Sequence, residues 1–466
     1  MFAPTDMTVG TPWKAILTFT LPMVIGNIAQ QLYNTVDSIV VGKYVGSEAL
    51  TAVGSAGPLL NLLLVLFIGI STGANTMVSQ YFGSKNRKSL SHTIGNCITV
   101  TAIACVLLII IVTPLIRPIL ELMNTSETVI YADSGYTILD ACTDYLTISL
   151  VGIAGMAFYN ILSNIIRGMG DSVSALLYLL VATVINIVLD LYFVAKLNMG
   201  VAGVALATVI AQIVSALLCF IKLAKMQETF DFKVKYLKPV GSYVKTIIRL
   251  GLPAGMTQAI FSSAMIIVQS LTNQFGDDFV AANVIIMRVD GFAMMPNFSF
   301  GTALTTYAGQ NVGAKLYDRV VKGAKQGTLM AVGCSTAITV LILAFGEHLM
   351  RLFVDKSENA ETLVEMSYNL MLILAVGYIA MAVTQSLSGI MRGAGDTMTP
   401  MWISLITTVI IRVPLAYGIA YITGDSVIAN GAKECIQISL LTSWVLGAIL
   451  TAIFFKIGKW KTKAIE

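Results

Sequence analysis

Apolar residues in this chain run in long blocks rather than in short alternations. The blocks cover approximately 15–41, 50–81, 89–116, 137–164, 173–195, 200–224, 246–275, 279–312, 320–346, 363–391, 399–422 and 435–457. Each approaches or exceeds the ~20 residues a helix needs to cross a hydrocarbon core. The pattern predicts twelve membrane-spanning helices joined by short polar turns. Several blocks exceed the minimum, which leaves room for tilt. Pro22, Pro58, Pro253, Pro296 and Pro414 lie inside blocks, and each is expected to kink its helix by removing a backbone donor. The first block reads as a span and not as a secretory signal, because residues 1–13 hold no Lys or Arg and the block is too long.

The second half repeats the first. Arg167-Gly168-Met169-Gly170-Asp171 returns as Arg392-Gly393-Ala394-Gly395-Asp396, preceded by Ser163 and Ile165 in one copy and by Ser388 and Ile390 in the other. Gln80, Gly83 and Lys85 return as Gln310, Gly313 and Lys315, and Leu21-Pro22 as Leu252-Pro253. The spacings are 225, 230 and 231 residues, so the halves align in order. Duplication of an apolar chain marks many secondary transporters. Six spans per half make both halves enter from one side, which gives parallel repeats related by an axis along the membrane normal. The expected organisation is an N-lobe over 1–225, a cytoplasmic inter-lobe loop over 226–244 and a C-lobe over 245–466.

Composition agrees with lipid as the solvent. The 466 residues are 56% hydrophobic and 12% charged, against about 25% charged in soluble proteins. With the N-terminus inside, 21 of the 29 Lys and Arg fall in cytoplasmic segments and six in outer ones. That asymmetry predicts cytoplasmic N- and C-termini. Seven of these cations, from Lys222 to Arg249, form the inter-lobe stretch and read as a positive-inside loop against anionic headgroups, not as a nucleic-acid site. Six scattered cysteines without a CxxC pair read as small apolar residues. Two histidines, His92 and His348, both near block ends, argue against a histidine proton relay.

Arg288 and Arg412 are the cations left inside spans. Asp37, Asp190 and Asp290 are the acids there, and each costs about 2.5–3.5 kcal/mol at mid-membrane on insertion scales. Tyr33 lies four residues before Asp37, and Asn186 four before Asp190, each pair on one helical face. The repeat counterparts of these acids, near Val268 and Leu415, are apolar. Two carboxylates, an amide oxygen and a hydroxyl suit a hard cation, or a shared proton. The structural alternative is hydrogen-bonded acids that join helices. Asp290 and Arg288 are two apart and do not face one another, which makes Arg412 a candidate partner for Asp290. In the Arg-Gly-x-Gly-Asp turns, glycine suits a left-handed helix end and aspartate an N-cap, while Arg167 and Arg392 can reach lipid phosphates. A role in gating is the alternative. Gly203, Ala207 and Ala211 repeat at four-residue spacing, a pattern of close helix packing.

Together these residues resemble the multidrug and toxic compound extrusion (MATE) family, most closely its prokaryotic DinF-like branch. The resemblance rests on LPMVIGNIAQQLYNTVDSIVVG at 21–42, the two QxxGxK segments, both Arg-Gly-x-Gly-Asp turns and INIVLDLYFV at 185–194. It implies an all-α integral membrane fold, with two pseudo-symmetric six-helix lobes forming a V. It implies alternating access and export of organic, often cationic, compounds against Na+ or H+ entry. Matching residues place the coupling-cation site at Asp37, Asn186, Asp190 and Thr208, where Na+ is the metal to consider, with Tyr33 and Asn160 lining the site or cavity. Arg288, Asp290 and Arg412 are further cavity candidates. The branch with acids on the seventh and tenth spans differs, since 252–275 and 368–391 here carry no Asp or Glu. The N-lobe is therefore expected to carry coupling. No cofactor is expected beyond the coupling ion. The expected partners are small-molecule drugs and the lipid bilayer, with the chain a monomer in a prokaryotic plasma membrane. A lipid-linked saccharide flippase of the same superfamily is the second reading; it calls for a more basic cavity than two arginines supply. An integral membrane enzyme would need a clustered His, Cys or metal constellation, and none is visible.

Overall fold

A computed structural model gives the fold. It describes residues 4–44, 47–122, 129–131, 136–351, 353–354, 360–425 and 427–465; the side chains at 33, 34, 37–39, 41–43, 47–55, 58, 129–131 and 136 lie outside the described set. Helix dominates because a lipid-facing backbone must satisfy its own N–H and C=O groups. The first half contains α1 (Pro12–Tyr44), α2 (Ser47–Gly83), α3 (Arg87–Val112), α4 (Ile116–Leu122), α5 (Ile138–Val151), α6 (Ile153–Gly168), α7 (Ser172–Asp190) and α8 (Gly200–Lys225). The second contains α9 (Gly241–Thr272), α10 (Asp277–Gly313), α11 (Tyr317–Arg351), α12 (Ala360–Ala375), α13 (Gly377–Gly393), α14 (Met398–Ser404), α15 (Arg412–Thr423) and α16 (Cys435–Ile457). A short antiparallel pair, β1 (Val129–Tyr131) with β2 (Tyr136–Thr137), is the only sheet among the described residues. Among the described residues the helices supply twelve candidate spans by length and composition, ten of them single runs and two of them bent pairs.

The bent pairs occupy equivalent places. α5–α6 turns by 47° and α12–α13 by 45°. Gly152 sits at the first bend, and a Cβ there would lie 2.3 Å from a Val209 methyl on α8. Gly377 sits at the second, where a Cβ would lie 2.5 Å from the Trp444 ring on α16. Each bend thus presses a bare backbone against the last span of its half. The prolines do not end their helices: α1, α9 and α10 run on through Pro22, Pro253 and Pro296. A proline removes one hydrogen bond, and neighbouring groups can re-satisfy the carbonyl it frees. Pro414 does coincide with an irregularity. It cannot donate to Ile410 O, and the wide-turn segment Leu405–Ile411 ends just before it.

The chain forms two compact units. Unit 1 is Met1–Asp6 with Leu21–Gly255, and unit 2 is Met7–Thr20 with Met256–Glu466. These limits differ from the expected lobes: the stretch 226–244 belongs wholly to unit 1, and each half's lead-in is counted with the other half. The changeovers fall at Leu21 and just beyond Pro253, beside the repeated Leu-Pro. Arginine holds each lead-in. In unit 1, Arg87 donates to the Asp231 carboxylate at 2.8 Å and to the carbonyls of Gln227 and Glu228. Asn96 Oδ1 accepts from Val240 N at 2.7 Å, so the inter-repeat loop is docked on α3. The Arg87 hydrogen bond holds the Asp231 carboxyl below its usual range. This contribution is present at neutral pH and fades as pH falls through the lowered value. In unit 2, Arg319 donates to the carbonyls of Met7, Val9 and Gly10, and Gln310 Oε1 accepts from Met7 N at 2.8 Å.

The bends generate a stability prediction. Gly377→Ala drives a methyl into the buried Trp444 ring and should destabilise by about 1–3 kcal/mol. Gly333→Ala on α11 has no heavy atom within 4 Å of the new Cβ, so it should be neutral or stabilise by up to about 1 kcal/mol. Thermal unfolding of the purified proteins in detergent reads the difference. Equal melting temperatures would contradict the packing account.

Candidate functional site

The chemistry of unit 1 gathers on α7 and α8. Asp171 starts α7 by accepting from Ser174 N at 2.9 Å. The helix stays regular to Asp190, after which Leu191–Lys196 continues in wide turns with i→i+5 bonds. Such irregularities are frequent at functional sites. Gly203, Ala207 and Ala211 are all buried on α8, as expected for a close-packed face. Asn186 and Asp190 are fully buried, and Thr208 is partly so. Asn186 Nδ2 donates to Thr208 Oγ1 at 3.4 Å. This leaves Asn186 Oδ1 without a hydrogen-bond partner among the described residues. An amide and a hydroxyl thus meet between α7 and α8, with the Asp190 carboxylate one turn further along α7, and these are oxygen types that suit Na+ or a proton. Asp37 and Tyr33 belong to α1, but their side chains lie outside the described residues. Asn160, on α6, donates to Met156 O at 2.8 Å and makes no described hydrogen bond to this cluster.

Unit 2 carries different groups at the matching places. Val268, where Asp37 would repeat, is part of an apolar core with Met294, Met371 and Tyr378. Asp290 on α10 has the Tyr378 hydroxyl and the Arg412 guanidinium as its electrostatic neighbours. Arg412 is buried but does not come within ion-pairing distance of Asp290. Arg288 is exposed, away from this group. Arg412 was the expected partner of Asp290, and the two do not close to an ion pair; Tyr378 was not anticipated. A signal existed, because Val151-Gly152 returns as Val376-Gly377 at the same 225-residue spacing, with Tyr378 next in line.

Both Arg-Gly-x-Gly-Asp turns have one construction. Gly168 and Gly393 let backbones meet: a Cβ would lie 3.1 Å from Asn75 O in one copy and 2.2 Å from Thr305 O in the other. Gly170 and Gly395 take φ of 91° and 96°, the left-handed helix end. Asp171 N donates to Ile166 O at 3.1 Å and Asp396 N to Met391 O at 2.9 Å. Asp171 and Asp396 then cap the following turn, accepting from the hydroxyls of Ser174 and Thr399 at 2.7 Å each. Arg167 and Arg392 are both partly buried, and Arg167 Nε is sealed from solvent without a hydrogen-bond partner. Lys222 departs from expectation. It is 2% exposed and pairs with Asp171 at 3.0 Å, so it belongs to the protein interior and not to a solvated positive-inside loop.

A duplicated, predominantly helical fold with buried polar groups in its spans, read with the matches that follow, is that of a membrane transporter and not of an enzyme. The MatE family model matches residues 22–192 and 253–418. The chain belongs to that family. It is 29% identical over 418 residues, 88% of each chain, to "Probable multidrug resistance protein YoeA" of Bacillus subtilis. It is 24% identical to "Probable multidrug resistance protein NorM" of Thermotoga maritima, over 97% of this chain and 94% of that one. Among solved structures, a MATE protein in complex with MaL6 superposes with a TM-score of 0.88 at 23% identity, covering 99% of this chain and 100% of that chain. A MOP superfamily transporter from Pyrococcus furiosus gives 0.88 at 23% identity, with 98% of each covered. These two share the fold.

The buried pair sets a second prediction. Lys222→Met leaves Asp171 ionised and uncompensated, which should cost about 3–5 kcal/mol. Lys222→Met combined with Asp171→Asn removes both charges and should recover most of that loss. Melting temperatures of the single and double variants in detergent test the pairing; a double variant no more stable than the single would refute it.

Proposed function

We propose that this chain is a secondary active multidrug exporter of organic, cationic compounds. It works by antiport with Na+ or H+ through alternating access, as a monomer in the plasma membrane of a prokaryote with both termini cytoplasmic. The observation that carries the reading is the fully buried Asn186 and Asp190 on one helix, with Asn186 bonded to Thr208, a group that unit 2 does not repeat among the described residues. The multidrug resistance names of YoeA and NorM support the substrate class.

In this mechanism Asp37 and Asp190 take up the coupling ion from outside, with Asn186 Oδ1 and Thr208 Oγ1 as the neutral oxygens. Loading raises the local charge by one. At an effective dielectric of about 20, a unit charge roughly 8 Å from a cationic drug weakens its binding by about 2 kcal/mol. That is a factor of about thirty in affinity, enough to expel the drug outward. The α1 helix repacks near Pro22 as the site fills. The empty units then close and reopen inward, and the coupling ion leaves to the cytoplasm. Tyr33 and Asn160 line the path that both ligands use.

Drug accumulation in cells tests this reading. Asp37→Asn and Asp190→Asn should each reduce export at least tenfold at wild-type expression, because neither amide can bind and release the coupling charge. Thr208→Val should weaken export less, since it removes one neutral ligand. Wild-type export by both aspartate variants would remove the proposed site.

A further inference from the structure

Asp290 lies inside the α10 span, half-buried, next in sequence to Val289, which shares a buried apolar cluster with Met294, Met371 and Tyr378. Its Oδ1 is sealed from solvent and has no hydrogen-bond partner among the described residues. Tyr378, fully buried on α13, places its hydroxyl 3.2 Å from Met371 Sδ, and that hydroxyl is also an electrostatic neighbour of Asp290. Arg412, 8% exposed, stands beside Asp290 without closing to an ion pair, and its Nε has no partner among the described residues. Among the described residues, Tyr378 and Arg412 are the titratable groups that act on Asp290; α11 and α12, which also pack on α10, contribute none of them.

We propose that Asp290 is a proton-binding site in unit 2, separate from the unit 1 cation site, with Tyr378 and Met371 forming a two-position hydrogen-bond switch and Arg412 serving as counter-charge. A phenol has one proton and cannot donate to both neighbours at once. With Asp290 ionised, Tyr378 O–H donates to the carboxylate, the stronger acceptor. When a proton from water forms the Asp290 O–H bond, that group donates to the Tyr378 oxygen, and the tyrosine O–H turns to the thioether sulfur. Met371 thus keeps the hydroxyl satisfied in the protonated state. Charge selects the ligand: the nearby guanidinium opposes a metal cation, and one carboxylate with one hydroxyl is a thin donor set for Na+. The site passes from neutral to +1 on loading, so it disfavours a cationic substrate in the same sense as the unit 1 site. The inference does not depend on antiport through Asp37 and Asp190.

Infrared difference spectra between acidic and alkaline buffer, taken on the purified full-length protein in detergent, test it without any transport step. A protonated-carboxyl C=O band should disappear in Asp290→Asn and persist in Asp190→Asn. Tyr378→Phe should retain that band and displace its pH midpoint by about one unit, because the hydroxyl partner is lost. If Asp290→Asn folds with the wild-type spectrum, the proposal is wrong. If that variant does not fold, an unmoved midpoint in Tyr378→Phe overturns it.

Discussion

Lipid offers no hydrogen bonds, so every polar atom placed within a span must find its partner in the protein. This constraint governs where chemistry sits in the chain. Asp171 meets it fully, with a cap on Ser174 and an ion pair to Lys222. Such a residue is a fixed structural element. Asn186 and Asp290 meet it partly, each with a sealed oxygen that lacks a hydrogen-bond partner among the described residues. Burying such an oxygen costs about 1–3 kcal/mol. In the proposed mechanism a cation or a proton recovers that cost when it binds, so that partial satisfaction becomes reversible loading.

The duplication shows which positions follow packing and which follow chemistry. Gly152 and Gly377, and the paired turns at 167–171 and 392–396, match because equivalent helices must approach equally closely in each half. The polar groups do not match. Unit 1 has Asp190 at the end of a regular helix, before a wide-turn segment, whereas unit 2 has Arg412 just after one. Val268 fills with methyl groups the place where Asp37 would repeat. Two units of one architecture thus hold unlike charge, a difference that equivalent packing does not require.

Much of this was legible in the chain. The apolar blocks located all twelve spans, and 435–457 matches α16 end to end. Membrane helices are easy to read because lipid imposes length and composition together. The Arg-Gly-x-Gly-Asp turns were legible for a similar reason, since glycine and aspartate have few roles at a helix end. Bends were not. Proline announces a lost donor, yet the large bends occur at glycines, whose effect depends on Val209 and Trp444 across the interface. Lys222 was misread because a lysine near a basic loop looks solvated until its partner is seen. Tyr378 was missed because a lone tyrosine in an apolar run carries no signal apart from its neighbours. The extent of the units was obscured too, because Arg87 and Arg319 hold segments far away in sequence.

The central claim is that a buried oxygen cluster in unit 1 converts an ion gradient into export. Transport of a fluorescent organic cation in proteoliposomes, with Na+ and pH gradients imposed separately, tests it most directly. The account predicts accumulation driven by at least one inward gradient and abolished when that gradient is collapsed, with Asp190→Asn inactive under both. Gradient-driven transport by Asp190→Asn at the wild-type rate would contradict it.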